Sequence, residues 1–148
     1  FVEKDYTLNN LKNFTDIKIE LKLDSALPQI KVLPMELQQV FVNLLRNAEQ
    51  AISARKLEAL ADYQGKITIE TKIEAGVVTV VVGDNGCGMN DNVLRKVFDP
   101  YFSTRQKTGG HGLGLSTVYR IIKTLLEGEI EVRSAVNVGT QFIISLKL

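Results

Sequence analysis

The run VVTVVVG at residues 77–83 restricts the fold most. Seven uncharged residues, five of them valine, suit a strand hidden deep in a sheet and little else. The segment before it, KITIETKIE at 66–74, alternates apolar and polar residues, and Ala75-Gly76 joins the two as a hairpin. Further strands are expected at 16–24, where Ile17, Ile19, Leu21 and Leu23 share one side, and at 29–33, between Pro28 and Pro34. Two more, at 128–134 and 140–148, flank a turn that holds Gly139.

The clearest helix covers 35–52. Leu37, Val40, Phe41, Leu44, Leu45, Ala48, Ala51 and Ile52 form one apolar arc, and Pro34 suits the first turn, where no N–H is needed. A second helix is expected at 113–126, with Leu115, Val118, Ile122, Leu125 and Leu126 on one face; shorter ones are expected at 2–12 and 90–97. Residues 53–65 form a polar connection with room for another helical turn or two. Residues 84–110 read mostly as loop, of a length usual for lids and binding loops. The order β-β-α-β-β-α-β-β lacks the strict alternation of a doubly wound sheet, so the expected class is α+β, with helices on one face of a mixed sheet. At 148 residues the chain can enclose one core without disulfide staples.

Composition removes several function classes. A net charge of +1 argues against a dedicated nucleic-acid or anionic-membrane surface. The single cysteine, Cys87, excludes a disulfide framework, and the single histidine, His111, leaves little room for a histidine metal cluster. The chain starts at Phe1 and has no leader or long apolar run, which reads as a cytoplasmic piece of something longer.

Four segments could carry chemistry. Asn43 and Asn47 stand i,i+4 at the edge of the first helix's apolar arc, with Gln50 close by; their amide oxygens suit Mg²⁺, or are simply solvated. Asp84-Asn85-Gly86-Cys87-Gly88 ends the buried strand. Its carboxylate can accept from an exocyclic amine while the glycines admit a flat ring, or the segment is a plain turn. Phe98-Asp99-Pro100-Tyr101-Phe102-Ser103-Thr104 can anchor a loop that brings Arg105 and Lys107 to a phosphate, or form an aromatic satellite cluster. Gly109-Gly110-His111-Gly112-Leu113-Gly114-Leu115-Ser116 opens a helix with backbone N–H groups free for phosphate, without the Walker or dinucleotide-fold spacing.

In this order and spacing, the segments resemble the ATP-binding catalytic domain of bacterial two-component sensor histidine kinases, within the gyrase, Hsp90 and MutL superfamily. Residues 39–48 resemble its N box, 84–88 the first glycine box, 98–104 the F box, 110–116 the second glycine box, and Gly139-Thr140 the closing element. The resemblance covers 16–148, leaving 1–15 as the end of a connection from a dimerisation domain. It implies a Bergerat-type two-layer α/β sandwich with a mixed five-stranded sheet.

The resemblance also implies roles. Asp84 would bind the adenine amine, supported by Thr140 through water. Asn47 would ligate Mg²⁺, and Asn43 would contact the phosphate–metal region. Gly86, Gly88, Gln50, Phe98, Gly110, His111, Gly112, Leu113, Gly114 and Leu115 would complete the ATP site, with 98–111 as its lid. Gln50 stands where many relatives carry lysine, so Arg46, Arg105 and Lys107 are the candidate cations for the phosphates, with Arg105 counted among the catalytic residues.

Hydrolysing relatives carry glutamate where this chain has Asn43. An amide takes no proton at neutral pH, so the implied chemistry is phosphoryl transfer to a histidine rather than to water. That histidine would lie on a separate dimerisation domain, with a response regulator downstream, and this chain alone would be a monomer inactive in autophosphorylation. It would touch neither nucleic acid nor membrane directly, although the parent protein is free to be membrane-anchored. The competing readings are an anti-sigma-factor-type serine kinase, a gyrase- or MutL-like ATPase, and a scaffold that binds no nucleotide.

Overall fold

A computed structural model describes residues 16–29, 32–58, 62–104 and 112–148. The expected helix at 2–12 lies outside them. Five strands form one mixed sheet in the order β1-β2-β3-β5-β4. β1 (Lys18–Lys22) pairs parallel to β2 (Lys66–Glu74), and the pairs β2–β3 (Val77–Asp84), β3–β5 (Gly139–Lys147) and β5–β4 (Glu129–Ala135) are antiparallel. The 77–83 run is the middle strand, as its composition requires.

Of the strand expected at 29–33, residues 30–31 lie outside the described residues, and Gln29, Val32 and Leu33 are irregular.

The helices cover one face of the sheet. α1 (Pro34–Glu58) buries Val40, Leu44, Leu45, Ala48 and Ile52 over the inward side chains Ile67, Ile69, Val82, Phe142 and Ile144. It runs six residues past Ile52. The tail is polar yet rich in helix formers, and Ser53 Oγ donates at 3.0 Å to the buried Glu49 carboxylate one turn back. The short α2 (Asp91–Leu94) is capped by Asn90, whose side chain accepts from the Val93 N–H at 3.0 Å.

α3 (Gly114–Arg120) continues as a π-helical turn over Ile121–Leu125, where the Leu126 N–H reaches back to the Ile121 carbonyl at 3.0 Å. The wider turn rotates the register. Ile121 and Ile122 are therefore buried together, whereas Leu125, expected in the core, is 40% exposed. None of the described helices is long and apolar enough to cross a membrane.

Phe142 lies at the centre of this core, 2% exposed and edge-on to Phe98 at 6.3 Å between ring centroids. Phe142→Ala should cost about 3–5 kcal/mol of unfolding free energy, read as an earlier urea midpoint. A loss below about 1 kcal/mol would mean that the sheet and helices are not packed through this ring.

Candidate nucleotide site

The site lies where the C-terminal end of β3 meets the middle of α1, the start of α3 and the β4–β5 turn. Burial of Asp84 beside Thr140 pushes its carboxyl up to about 6, although the backbone N–H groups of Gly86 and Thr140 both act to lower it. The Gly86 N–H donates to its Oδ1 at 2.8 Å. A carboxyl raised in this way is a functional-site signal, since burial without a countercharge destabilises the fold.

The turn after Asp84 is pressed against its neighbours. The Cys87 N–H donates to the Ala51 carbonyl of α1 at 3.0 Å, and the Cys87 carbonyl accepts from the Asn137 N–H of the β4–β5 turn at 2.8 Å. A Cβ on Gly86 would fall 2.5 Å from the Ala51 carbonyl carbon. Gly139 has φ +139° and passes so close to the Asp84 carbonyl that a side chain would collide with it. Below them, the Ser134 hydroxyl accepts from the Met89 N–H at 2.8 Å, donates to the Gly139 carbonyl at 2.9 Å, and lies 2.8 Å from the Thr140 hydroxyl.

A cavity of about 750 Å³ opens above this turn. Asn43, Asn47 and Gln50 form its α1 wall; Gly112, Leu113, Gly114 and Leu115 form the α3 side; Gly88 and Thr140 line the floor. Arg46 is the one of the three basic candidates whose place is described, and it stands on the α1 wall. Arg105, Lys107, Gly110 and His111 lie outside the described residues.

Three expected site residues sit off the wall. Asp84 is half-buried at the end of β3 and does not line the cavity itself, although its partner across β5, Thr140, does. Gly86 is buried against Ala51. Phe98 turns into the core, its ring 5.2 Å from Tyr119 and 6.3 Å from Phe142, because a phenyl group at the base of the loop buries more area there than at the rim.

The structure adds wall residues that the motifs did not mark: Ala54, Met89, Asn90, Val93, Val97 and Val136. The covered positions along 89–97, Met89, Val93, Leu94 and Val97, recur every three or four residues, too short a pattern to show that this stretch lines a cavity. The base of the long loop is fastened where the Tyr101 N–H donates to the Gly112 carbonyl at 3.0 Å.

Among the described residues, no three histidine, cysteine, aspartate or glutamate side chains group to hold a metal ion. Neutral amide oxygens on one wall instead fit a hard cation that takes its remaining ligands from water and phosphate. Asn47 would hold such an ion.

The fold and the cavity define a nucleotide-binding α/β sandwich. Residues 33–148 match the model of the histidine kinase-, DNA gyrase B- and HSP90-like ATPase family, and the chain belongs to that family. It is 38% identical over 128 residues to the signal transduction histidine-protein kinase AtoS of Escherichia coli (strain K12), covering 86% of this chain and 19% of that protein. It is 34% identical over 140 residues to sporulation kinase E of Bacillus subtilis (strain 168), covering 94% of this chain and 17% of that protein. This chain thus spans about a fifth of the length of these relatives. The catalytic domain of the histidine kinase ThkA, solved in a nucleotide-free form, superposes with a TM-score of 0.71 at 28% identity, covering 89% of this chain and 80% of that one. The fold is that of histidine kinase catalytic domains, with a mixed five-stranded sheet and helices on one face, as the motifs implied.

Asp84 yields a test that needs no ligand. Its folded pKa of about 6 stands above the ordinary carboxylate value of 3.8, so the folded state holds this proton more tightly than the unfolded one. Stability from this group is therefore greatest below about pH 4 and is lost as pH rises through 6. Asp84→Asn, which keeps the shape and removes the charge, should raise unfolding free energy by about 3 kcal/mol at pH 7.5. The gain should shrink to nothing near pH 4. A variant less stable than wild type at pH 7.5 would show that the charge is already compensated.

Proposed function

We propose that this chain binds Mg·ATP in the cavity and donates the γ-phosphoryl group to a histidine on a separate dimerisation domain, within a two-component sensor kinase. The observation that carries the choice of acceptor is Asn43. It stands on the cavity wall one helical turn before Asn47, where the implied hydrolysing relatives keep a glutamate base. An amide cannot activate water by taking its proton. The described wall carries amides, an arginine and hydroxyls, a lining that binds and neutralises a phosphate chain.

In this reading, Asp84 accepts from the adenine amine while Thr140 supports it through water. The Gly112–Leu115 segment runs along the phosphates, with Gly110 and His111 continuing it, and Asn43, Asn47 and Gln50 face them from α1. Asn47 would hold magnesium, which would supply charge neutralisation at the phosphates. Arg46 or Arg105 adds positive charge at the γ-phosphate as the 98–111 lid closes.

The incoming imidazole nitrogen forms the new P–N bond, the β–γ bridging P–O bond breaks, ADP leaves with that electron pair, and the imidazole proton passes to solvent. Positioning and charge stabilisation supply the rate. Residues 1–15 are the end of the connection to the dimerisation domain, and the response regulator acts on the phosphohistidine afterwards. The reaction takes place in the cytoplasm.

The test is incubation with γ-labelled ATP, alone and with a separately made dimerisation domain from a relative. Label should appear on the added domain's histidine, in an acid-labile form, and not on this chain alone. Steady phosphate release without the added domain would favour an ATPase, and label on His111 would refute transfer in trans. ATP affinity should also weaken as pH falls through 6, because the carboxylate form of Asp84 is the acceptor; affinity flat from pH 7.5 to 5 would remove Asp84 from the base pocket.

A further inference from the structure

The connection between α1 and β2 converges on a single residue, Asn85, which lies between Asp84 and Gly86. Arg55 Nη1 donates to the Asn85 carbonyl at 2.7 Å and to the Val138 carbonyl of the β4–β5 turn at 3.4 Å. The Tyr63 hydroxyl reaches the same Asn85 carbonyl at 3.0 Å and lies 3.2 Å from the Asn85 side-chain oxygen. The guanidinium carbon stands 4.9 Å from the centre of the Tyr63 ring, so the cation is stacked on the ring whose hydroxyl shares its acceptor.

The Asn85 side chain closes the other side. Its Oδ1 accepts from the Lys66 N–H at 2.7 Å, and its Nδ2 donates to the Gln64 carbonyl at 2.8 Å. One loop residue is thus held by the end of α1, by the connection and by the start of β2.

We propose that Arg55 and Tyr63 are positioning residues for the base end of the nucleotide site. They hold the Asn85 peptide, and through it set the Asp84 carboxylate and the Gly86 N–H in register with the cavity. The proposal rests on the nucleotide reading and extends it to a part of the chain outside the motifs. Three observations support a role in positioning over one in phosphate binding. The described Arg55 donors end on backbone carbonyls, the guanidinium face is taken up by Tyr63, and Arg55 is absent from the cavity wall that carries Asn43, Arg46 and Asn47. A charge-assisted bond to a carbonyl is stronger than a neutral one, and a site whose acceptor is misplaced by a fraction of an ångström loses affinity without losing its fold.

The experiment is calorimetric titration of ATP and ADP into wild type, Arg55→Ala, Tyr63→Phe and the double variant, with thermal melts of the same samples. Arg55→Ala should weaken ATP and ADP by the same factor, about tenfold, because the clasp acts at the base that both share. Tyr63→Phe, which keeps the ring under Arg55, should weaken both by about threefold. The double variant should lose less than the product of the two, since both donors end on one oxygen.

A larger loss for ATP than for ADP would place Arg55 on the phosphates and overturn the proposal. Lower melting temperatures with unchanged affinities would make the pair a brace for the fold alone and also overturn it. Wild type binding neither nucleotide would refute the nucleotide reading and the role of the clasp together.

Discussion

The site depends on keeping a carboxyl group ionisable in a half-buried position. Asp84 ends the middle strand of the sheet, where burial pushes its carboxyl up and the backbone N–H groups of Gly86 and Thr140 only partly offset it. Ionising it at neutral pH costs the fold on the order of 3 kcal/mol. A protein selected for stability alone would place an asparagine or a threonine there. The neighbouring geometry follows from fixing that carboxyl. Gly86 lies on Ala51, Gly139 passes the Asp84 carbonyl without a side chain, and Ser134 ties Met89, Gly139 and Thr140 into the floor beside it.

The remaining geometry divides the work between two ends of one cavity. The base end is rigid because three elements meet on the 84–88 turn: α1 through Ala51, β5 through Thr140, and the β4–β5 turn through Asn137. The phosphate end is built from a helix side wall and a helix start. Asn43 and Asn47 share one face of α1, while the first residues of α3 run past them; a Cβ on Gly114 would sit 3.6 Å from the Asn43 side-chain oxygen. The same α1 buries Leu44, Ala48 and Ile52 on its other side, so packing the core and aiming the amides are one event.

Much of this was legible in the chain because the relevant signals are local. A continuously apolar strand, an alternating partner and a helix with a wide apolar arc each announce themselves within ten to twenty residues. The parts that escaped depend on distant partners. The α1 extension over 53–58 has no apolar period and is held partly by Glu49 and Ser53. The π-helical turn that exchanges Leu125 for Ile121 answers to packing on the sheet, not to residue pattern. Arg55 and Tyr63 read as ordinary linker residues; only the fold brings them to Asn85. Phe98, marked by its motif, serves the core beneath the loop instead of the cavity.

In the proposed reading, the stability cost at Asp84 is retained because the carboxylate recognises a base. Calorimetry with Mg·ATP, wild type beside Asp84→Asn, tests it most directly. The account predicts clear binding by wild type and a loss of at least tenfold in the variant, while the variant's fold is as stable or more so at neutral pH. Equal affinity in the two would contradict it: the cavity would then hold its nucleotide by the phosphates alone, and the buried carboxyl would need another explanation.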